Sequence, residues 1–188
     1  MVRWSRFAKV LAVTVALGFA HQGGAQIADP WSADASIGGG VGKGGEYFNN
    51  DRIAAHLGID ERVVRHGKLG VYVGAGYDWL DLEVGGDAIC VISSGGGCRP
   101  RYPEVRGPSV SMGVVVAPWT RFESRVGVGG AAYSVDDTRV GAAVGQLDAA
   151  IFPVAHVGVI LGTGVVVIPR YRHDRLTMVP VLLGLRVR

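Results

Sequence analysis

A chain of 188 residues suffices for one closed β-barrel or sandwich and hardly for two independent cores, so a single domain is expected. Glycine stands at 30 residues, roughly twice its usual share of about 7%, with no collagen triplet or low-complexity tract to hold it. The formal charge of +3 rests on the opening residues, which hold three of the 19 Lys and Arg. The remainder carries sixteen basic residues against 16 acidic ones, a balance that gives no support to nucleic-acid binding.

In chain order, the opening MVRWSRFAKVLAVTVALGFAHQGGAQ sets Arg3, Arg6 and Lys9 before an apolar run from Val10 to Ala20, with Gly23, Gly24 and Ala25 ahead of Gln26. This is the pattern of a signal peptide over residues 1–25, cleaved after Ala25 or after Ala20. The apolar run is about half of the ~20 residues that a spanning helix needs. The domain proper is expected over residues 26–188, outside the cytoplasm.

Beyond the leader the sequence alternates with a period of two. In KLGVYVGAGYDW, Leu69, Val71, Val73, Ala75, Tyr77 and Trp79 share one face, and Gly70, Tyr72, Gly74, Gly76 and Asp78 the other. Ala33, Ala35, Ile37, Gly39 and Val41 oppose Asp34, Ser36, Gly38 and Gly40 in the same way, as Val110, Met112, Val114 and Val116 oppose Ser109, Ser111, Gly113 and Val115. The longest apolar run, VGVILGTGVVVI, has the length of a strand and is broken by glycine. Continued along the chain, the pattern predicts strands near residues 31–42, 52–62, 68–82, 105–117, 122–135, 140–152, 156–169 and 175–187. Short connections fall near residues 64–67, 117–121 and 153–155, and the longest lies between Glu83 and Glu104. The fold class is therefore all-β, a closed antiparallel up-and-down barrel of about eight transmembrane strands.

Lipid offers no partner for the backbone groups of an open sheet edge, so a spanning sheet must close. The less apolar face is mostly glycine, serine and alanine, which suits a narrow interior better than a water-facing surface of about 25–35% charged residues. Parity sends Asp34, His56, Asp60, Arg125, Gln146, Asp148 and Arg186 into that interior. Burying a charge without a partner costs several kcal/mol, so Arg125 and Arg186 are expected beside inward carboxylates such as Asp34 or Asp148. The interior is read as a closed polar plug. Trp31, Tyr77, Trp79, Trp119, Phe122, Phe152 and Tyr171 fall near strand ends and form the expected aromatic girdle, with core or loop packing as the plainer alternative.

Cys90 and Cys98 enclose VISSGGG in the longest loop. Export into an oxidising compartment makes a disulfide the natural reading, with free thiols or a metal site as alternatives. The leader, the Gly-rich alternating strands and the mature size together resemble small outer-membrane barrels of the OmpA-transmembrane-domain and OmpX type. The closing VPVLLGLRVR, with Val179, Val181, Leu183, Leu185 and Val187 on one face, is similar to that family's C-terminal insertion signal, although the chain closes on Arg188 and not on an aromatic residue. The resemblance implies an outer-membrane location in a Gram-negative-type bacterium. Its implied partners are membrane lipids, the outer-membrane insertion machinery, and an extracellular ligand or protein met through the loop from Glu83 to Glu104.

No motif calls for a catalytic centre, cofactor or metal. GGGVGKGG, residues 38–45, invites a phosphate-loop reading but carries Ile37 where glycine is needed and Gly44 in place of Ser or Thr. His56, His66, His156 and His173 are too dispersed for a zinc or triad assignment from spacing. The expected function is a structural or surface-interaction barrel and not an enzyme. A secreted soluble ligand-binding barrel and a lipid-modifying outer-membrane enzyme are the alternatives.

Overall fold

The computed structural model describes residues 30–44, 47–82, 88–90, 98–100, 105–135, 138–171 and 174–188; the expected signal peptide lies outside them. The alternating stretches form β1 (Trp31–Gly44), β2 (Tyr47–His66), β3 (Leu69–Leu82), β6 (Val105–Trp119), β7 (Phe122–Val135), β8 (Thr138–Val154), β9 (Val157–Tyr171) and β10 (Asp174–Val187). These eight close into one barrel in the order β1, β10, β9, β8, β7, β6, β3, β2. Each neighbouring pair is antiparallel, and β1 meets β10 with Asp34 opposite Arg186.

Two short strands, β4 (Ala88–Cys90) and β5 (Cys98–Pro100), pair separately between β3 and β6, with Cys90 opposite Cys98 in the backbone register. The side chains of both cysteines lie outside the described residues. The glycine-rich segment read against a phosphate loop is strand as far as Gly44.

Three tight turns share one rim, at residues 67–68, 120–121 and 155–156. Gly67 takes φ +62, a conformation that glycine enters without steric cost. Bonds between hairpins tie this rim together: the Ala117 amide donates to the Lys68 carbonyl at 2.8 Å and the Phe152 amide to the Arg121 carbonyl at 2.9 Å. The chain's described ends lie here too, with the Arg62 amide donating to the Pro30 carbonyl and the Arg188 amide to the His156 carbonyl. The long connection between β3 and β6 opens on the opposite rim.

Alternation sorts the side chains by wall face. Ile37, Ile59, Val71, Val110, Met112, Val128, Leu147, Leu161 and Leu183 are exposed on the outside, spread around the ring on all eight strands. An apolar belt of this extent, far beyond the few hundred Å² of a soluble monomer's largest patch, is the surface of a membrane barrel.

Inside, the filling changes along the axis. The turn-side half is polar and charged. The loop-side half is packed with Leu80, Val105, Tyr133, Val135, Val166, Ile168, Leu176 and Met178. The expected polar plug thus occupies only half of the lumen, because β9 and β10 are apolar on both faces where Val165 to Ile168 and Leu176 to Val179 run without a break in hydrophobicity other than Thr177.

Candidate functional site

The turn-side lumen gathers ionisable side chains from five strands around Glu123, which is 0% exposed. Arg62 of β2 donates to Glu123 Oε2 and Arg125 Nε of β7 to Glu123 Oε1 at 2.6 Å. Arg186 Nη1 stands 3.5 Å from Oε1, and Arg188 Nη1 3.8 Å from Oε2. Arg125 extends the network, Nη1 donating to Asp60 Oδ2 and Nη2 to the Ser32 hydroxyl at 2.8 Å, while that hydroxyl donates to Asp60 at 2.8 Å. Arg186 donates to Asp148 Oδ1 at 2.7 Å and faces Asp34 Oδ1 at 3.7 Å. Charges this deeply buried persist only where opposite charges and hydrogen bonds meet them, and here each guanidinium faces at least one carboxylate.

One step toward the loop side, His56 lies between Asp78 Oδ1, 2.5 Å from Nδ1, and Asp34 Oδ2, 3.7 Å from Nε2. Tyr133 donates to the other oxygen of Asp78 at 2.7 Å. Carboxylates therefore face both ring nitrogens of His56. His66 is exposed beside its turn, His156 Nδ1 lies 3.0 Å from the Arg188 carbonyl oxygen, and His173 falls outside the described residues.

Tyr72 shows how small residues admit a large one. Tyr72, Gly113, Gly127 and Gln146 lie on one rung across β3, β6, β7 and β8. The ring lies along this rung, and Gln146 Nε2 donates to its hydroxyl at 2.6 Å. A Cβ on Gly113 would sit 2.9 Å from Tyr72 Cε1, and one on Gly127 would collide with the hydroxyl. Arg125 caps the same ring, 5.4 Å from its centroid. A lumen cavity of about 100 Å³ adjoins these groups, lined in part by Asp60 and Arg186. Asp60 Oδ1 and Arg186 Nε have no protein hydrogen-bond partner, which gives a cavity of this size and polarity places for ordered water.

All seven residues expected in the lumen, Asp34, His56, Asp60, Arg125, Gln146, Asp148 and Arg186, lie in its wall or the network. Glu123, Arg62, Arg188, Asp78, Tyr72 and Ser32 belong to it as well. The signal for Glu123 was its place two residues before Arg125, on the same face of the strand.

The aromatic girdle needs correction at Phe152. Trp31, Trp119 and Phe122 face outward at the turn rim, with Trp119 and Phe122 edge to face at 5.7 Å, and Tyr77 and Trp79 pack at 4.5 Å toward the loop rim. The side chain of Tyr171 lies outside the described residues. Phe152 is 0% exposed and points into the lumen, where the Arg188 guanidinium covers its ring at 3.7 Å. The reason is parity: Asp148, Ala150 and Phe152 share a face of β8, so an inward Asp148 carries Phe152 inward.

This closed, eight-stranded ring with an apolar exterior defines a membrane β-barrel. No protein-family model matches the chain, and no curated relative does. Among solved structures, Neisserial surface protein A is similar over 86% of this chain and 99% of its own, with 9% identity and a TM-score of 0.55. Ail, the attachment invasion locus protein of Yersinia pestis, matches over 84% of this chain and 99% of its own, with 10% identity and a TM-score of 0.49. The outer membrane enzyme PagL matches over 82% and 99%, with 15% identity and a TM-score of 0.44. The fold is that of the small eight-stranded outer-membrane β-barrels, in agreement with the OmpA/OmpX-type resemblance read from the strands.

Proposed function

We propose that the protein is an outer-membrane barrel of structural or surface-interaction role, with a closed lumen and with the connection between Glu83 and Glu104 displayed outside the cell. The single observation that supports this reading is the packing of side chains in both halves of the interior, by the Glu123 network on the turn side and the Tyr133, Ile168 and Met178 cluster on the loop side. An eight-stranded lumen packed in this way favours a closed barrel, and in this reading the outer wall and the loop rim are the surfaces that meet other molecules. In this reading residues 1–25 direct export and are removed, the insertion machinery takes up the barrel through its last strand, and Cys90 and Cys98 form a disulfide in the loop.

Two measurements test it. Reconstitution in planar bilayers is expected to give no large, steady conductance, and such a conductance would overturn the closed lumen. Fractionation of expressing cells is expected to recover the protein from membranes only with detergent, and quantitative recovery in the soluble periplasmic or medium fraction would overturn the membrane reading.

A further inference from the structure

The three turns that share one rim, residues 62–69, 117–121 and 153–157, contain no Asp or Glu, although the chain beyond residue 25 balances its acidic and basic residues. Of the acids nearest in sequence, Glu123 is buried in the lumen and Glu61 shares the outward parity of its register partner Trp31; Asp29 lies outside the described residues. Arg65, Lys68 and Arg121 are exposed on this rim, and none has a carboxylate partner among the described residues. Alternation sets them over the mouth of the barrel and not on its lipid-facing wall. Arg65 lies opposite the buried Gly70, Lys68 precedes the outward Leu69, and Arg121 stands two residues before the inward Glu123. Their backbones are held in place, the Lys68 carbonyl accepting from the Ala117 amide and the Arg121 carbonyl from the Phe152 amide. Arg188 ties the mouth further by donating to the Thr120 and Ala155 carbonyls. Burial pushes the Arg188 guanidinium down from the ordinary arginine range; Glu123 opposes that shift, and the nearby charges of Arg62, Arg65 and Arg125 add to it. Like charges thus gather at the mouth without an answering acid.

We propose that this rim docks an extended acidic segment of a second protein, lying across the mouth with its carboxylates on Arg65, Lys68 and Arg121. The inference rests on the outer-membrane reading above, which puts the turn rim in the periplasm, and it adds a third surface to the two named there. The three cations sit at the turn ends of β2, β3 and β7, three strand spacings end to end, or roughly 15 Å along the rim. About five residues of extended chain cover that length, so alternate carboxylates on one face of such a segment reach all three. Phospholipid phosphates, by contrast, lie around the perimeter of a barrel, against side chains of outward parity. In the closed-lumen reading the cations have no pore to serve, since the Glu123 network and Phe152 occupy the space beneath them. One exposed ion pair contributes little, but three cations on a backbone already fixed act together on one complementary chain.

The barrel in phosphatidylcholine nanodiscs, titrated at low ionic strength into a labelled peptide of alternating Glu and Ser, tests the site by fluorescence anisotropy. Wild type is expected to bind this peptide about tenfold or more tighter than the same peptide with Gln in place of Glu, and added salt should remove the difference. The triple variant Arg65→Gln, Lys68→Gln, Arg121→Gln should lose about tenfold or more. Arg139→Gln, Arg170→Gln, Arg175→Gln, an equal change of charge toward the loop rim, should bind as wild type does. Equal binding of the two peptides, wild-type binding by the turn-rim variant, or the same loss in both variants overturns the proposal. A wild type that ignores the peptide but retains phosphatidylglycerol in native mass spectrometry through the same three cations also overturns it, and gives the rim to inner-leaflet lipid. Each variant is checked for the heat-dependent gel shift of a folded barrel. The membrane reading is tested apart from this, with Lys68→Cys in a Cys90→Ser, Cys98→Ser background. That cysteine should resist a maleimide too bulky to cross the outer membrane until the membrane is opened. Labelling on intact cells refutes the orientation of the barrel, whatever the peptide does.

Discussion

The hydroxyl of Tyr72 accepts a hydrogen bond from Gln146 at 2.6 Å although three strand-to-strand steps separate the two residues. The bond exists because Gly113 and Gly127 present no side chain along the path of the ring. Gly113→Ala would drive a methyl group into the Val126 carbonyl oxygen and against the ring. It is expected to cost about 1–3 kcal/mol by overpacking. Gly141→Ala, whose methyl meets nothing within 4 Å, should change stability by less than about 0.5 kcal/mol. Urea unfolding in lipid vesicles, followed by tryptophan fluorescence, checks the pair. Equal stability of the two variants would contradict the packing of Tyr72.

Glu123 is the shared partner of Arg62, Arg125, Arg186 and Arg188. Glu123→Leu removes the one carboxylate between these guanidinium groups and should destabilise the barrel by roughly 3–5 kcal/mol. Replacing Glu123 and Arg125 together with leucine and methionine should recover part of that loss, since it removes a buried charge of each sign. A double variant less stable than the single one would show that the remaining charges depend on Arg125 more than on balance.

At the turn rim, Phe152 closes the lumen beneath Arg188. Phe152→Ala is expected to lose about 3–5 kcal/mol, as for other buried aromatic truncations, and Phe152→Leu distinctly less. The same unfolding assay measures both. If Phe152→Ala behaves like a surface substitution, the ring does not bear on the fold.

Cys90 and Cys98 lie opposite each other in the backbone register of β4 and β5, outside the barrel ladder. Replacing both with serine should leave membrane insertion intact while exposing the loop to protease, because the strand ladder and lipid burial hold the barrel. Mass spectrometry of the non-reduced protein and protease treatment of whole cells check this. Free thiols in protein from the native envelope, or failure of the serine variant to assemble, would refute it.

The eight barrel strands were legible because a wall with lipid on one side and a narrow interior on the other imposes a period of two. The β3 segment from Leu69 to Trp79 shows that period without interruption. The ends were less legible: Val64 and Pro153 read as turn residues, yet β2 reaches His66 and β8 reaches Val154. Parity also located Arg125 and Arg186, whereas their partner Glu123 sits one residue inside a strand start, where polarity is equally what a turn would show. For Phe152, proximity to a strand end and parity from Asp148 point opposite ways, and the fold follows parity. The apolar half of the lumen had no distinguishing signal, since segments such as Val165 to Ile168 are apolar on both faces and so say nothing about which face is which.

The Asp34 and Arg186 pair stands where the first strand meets the last, the joint made when a linear sheet becomes a cylinder. A slip of two residues there would preserve every inward and outward assignment, so hydrophobicity alone would tolerate it. It would, however, set Arg186 opposite Ser32 or Ser36 and strand a buried carboxylate. The charge pair therefore acts as a proofreading mark for closure: of the joints that lipid would accept, only one satisfies the ions within.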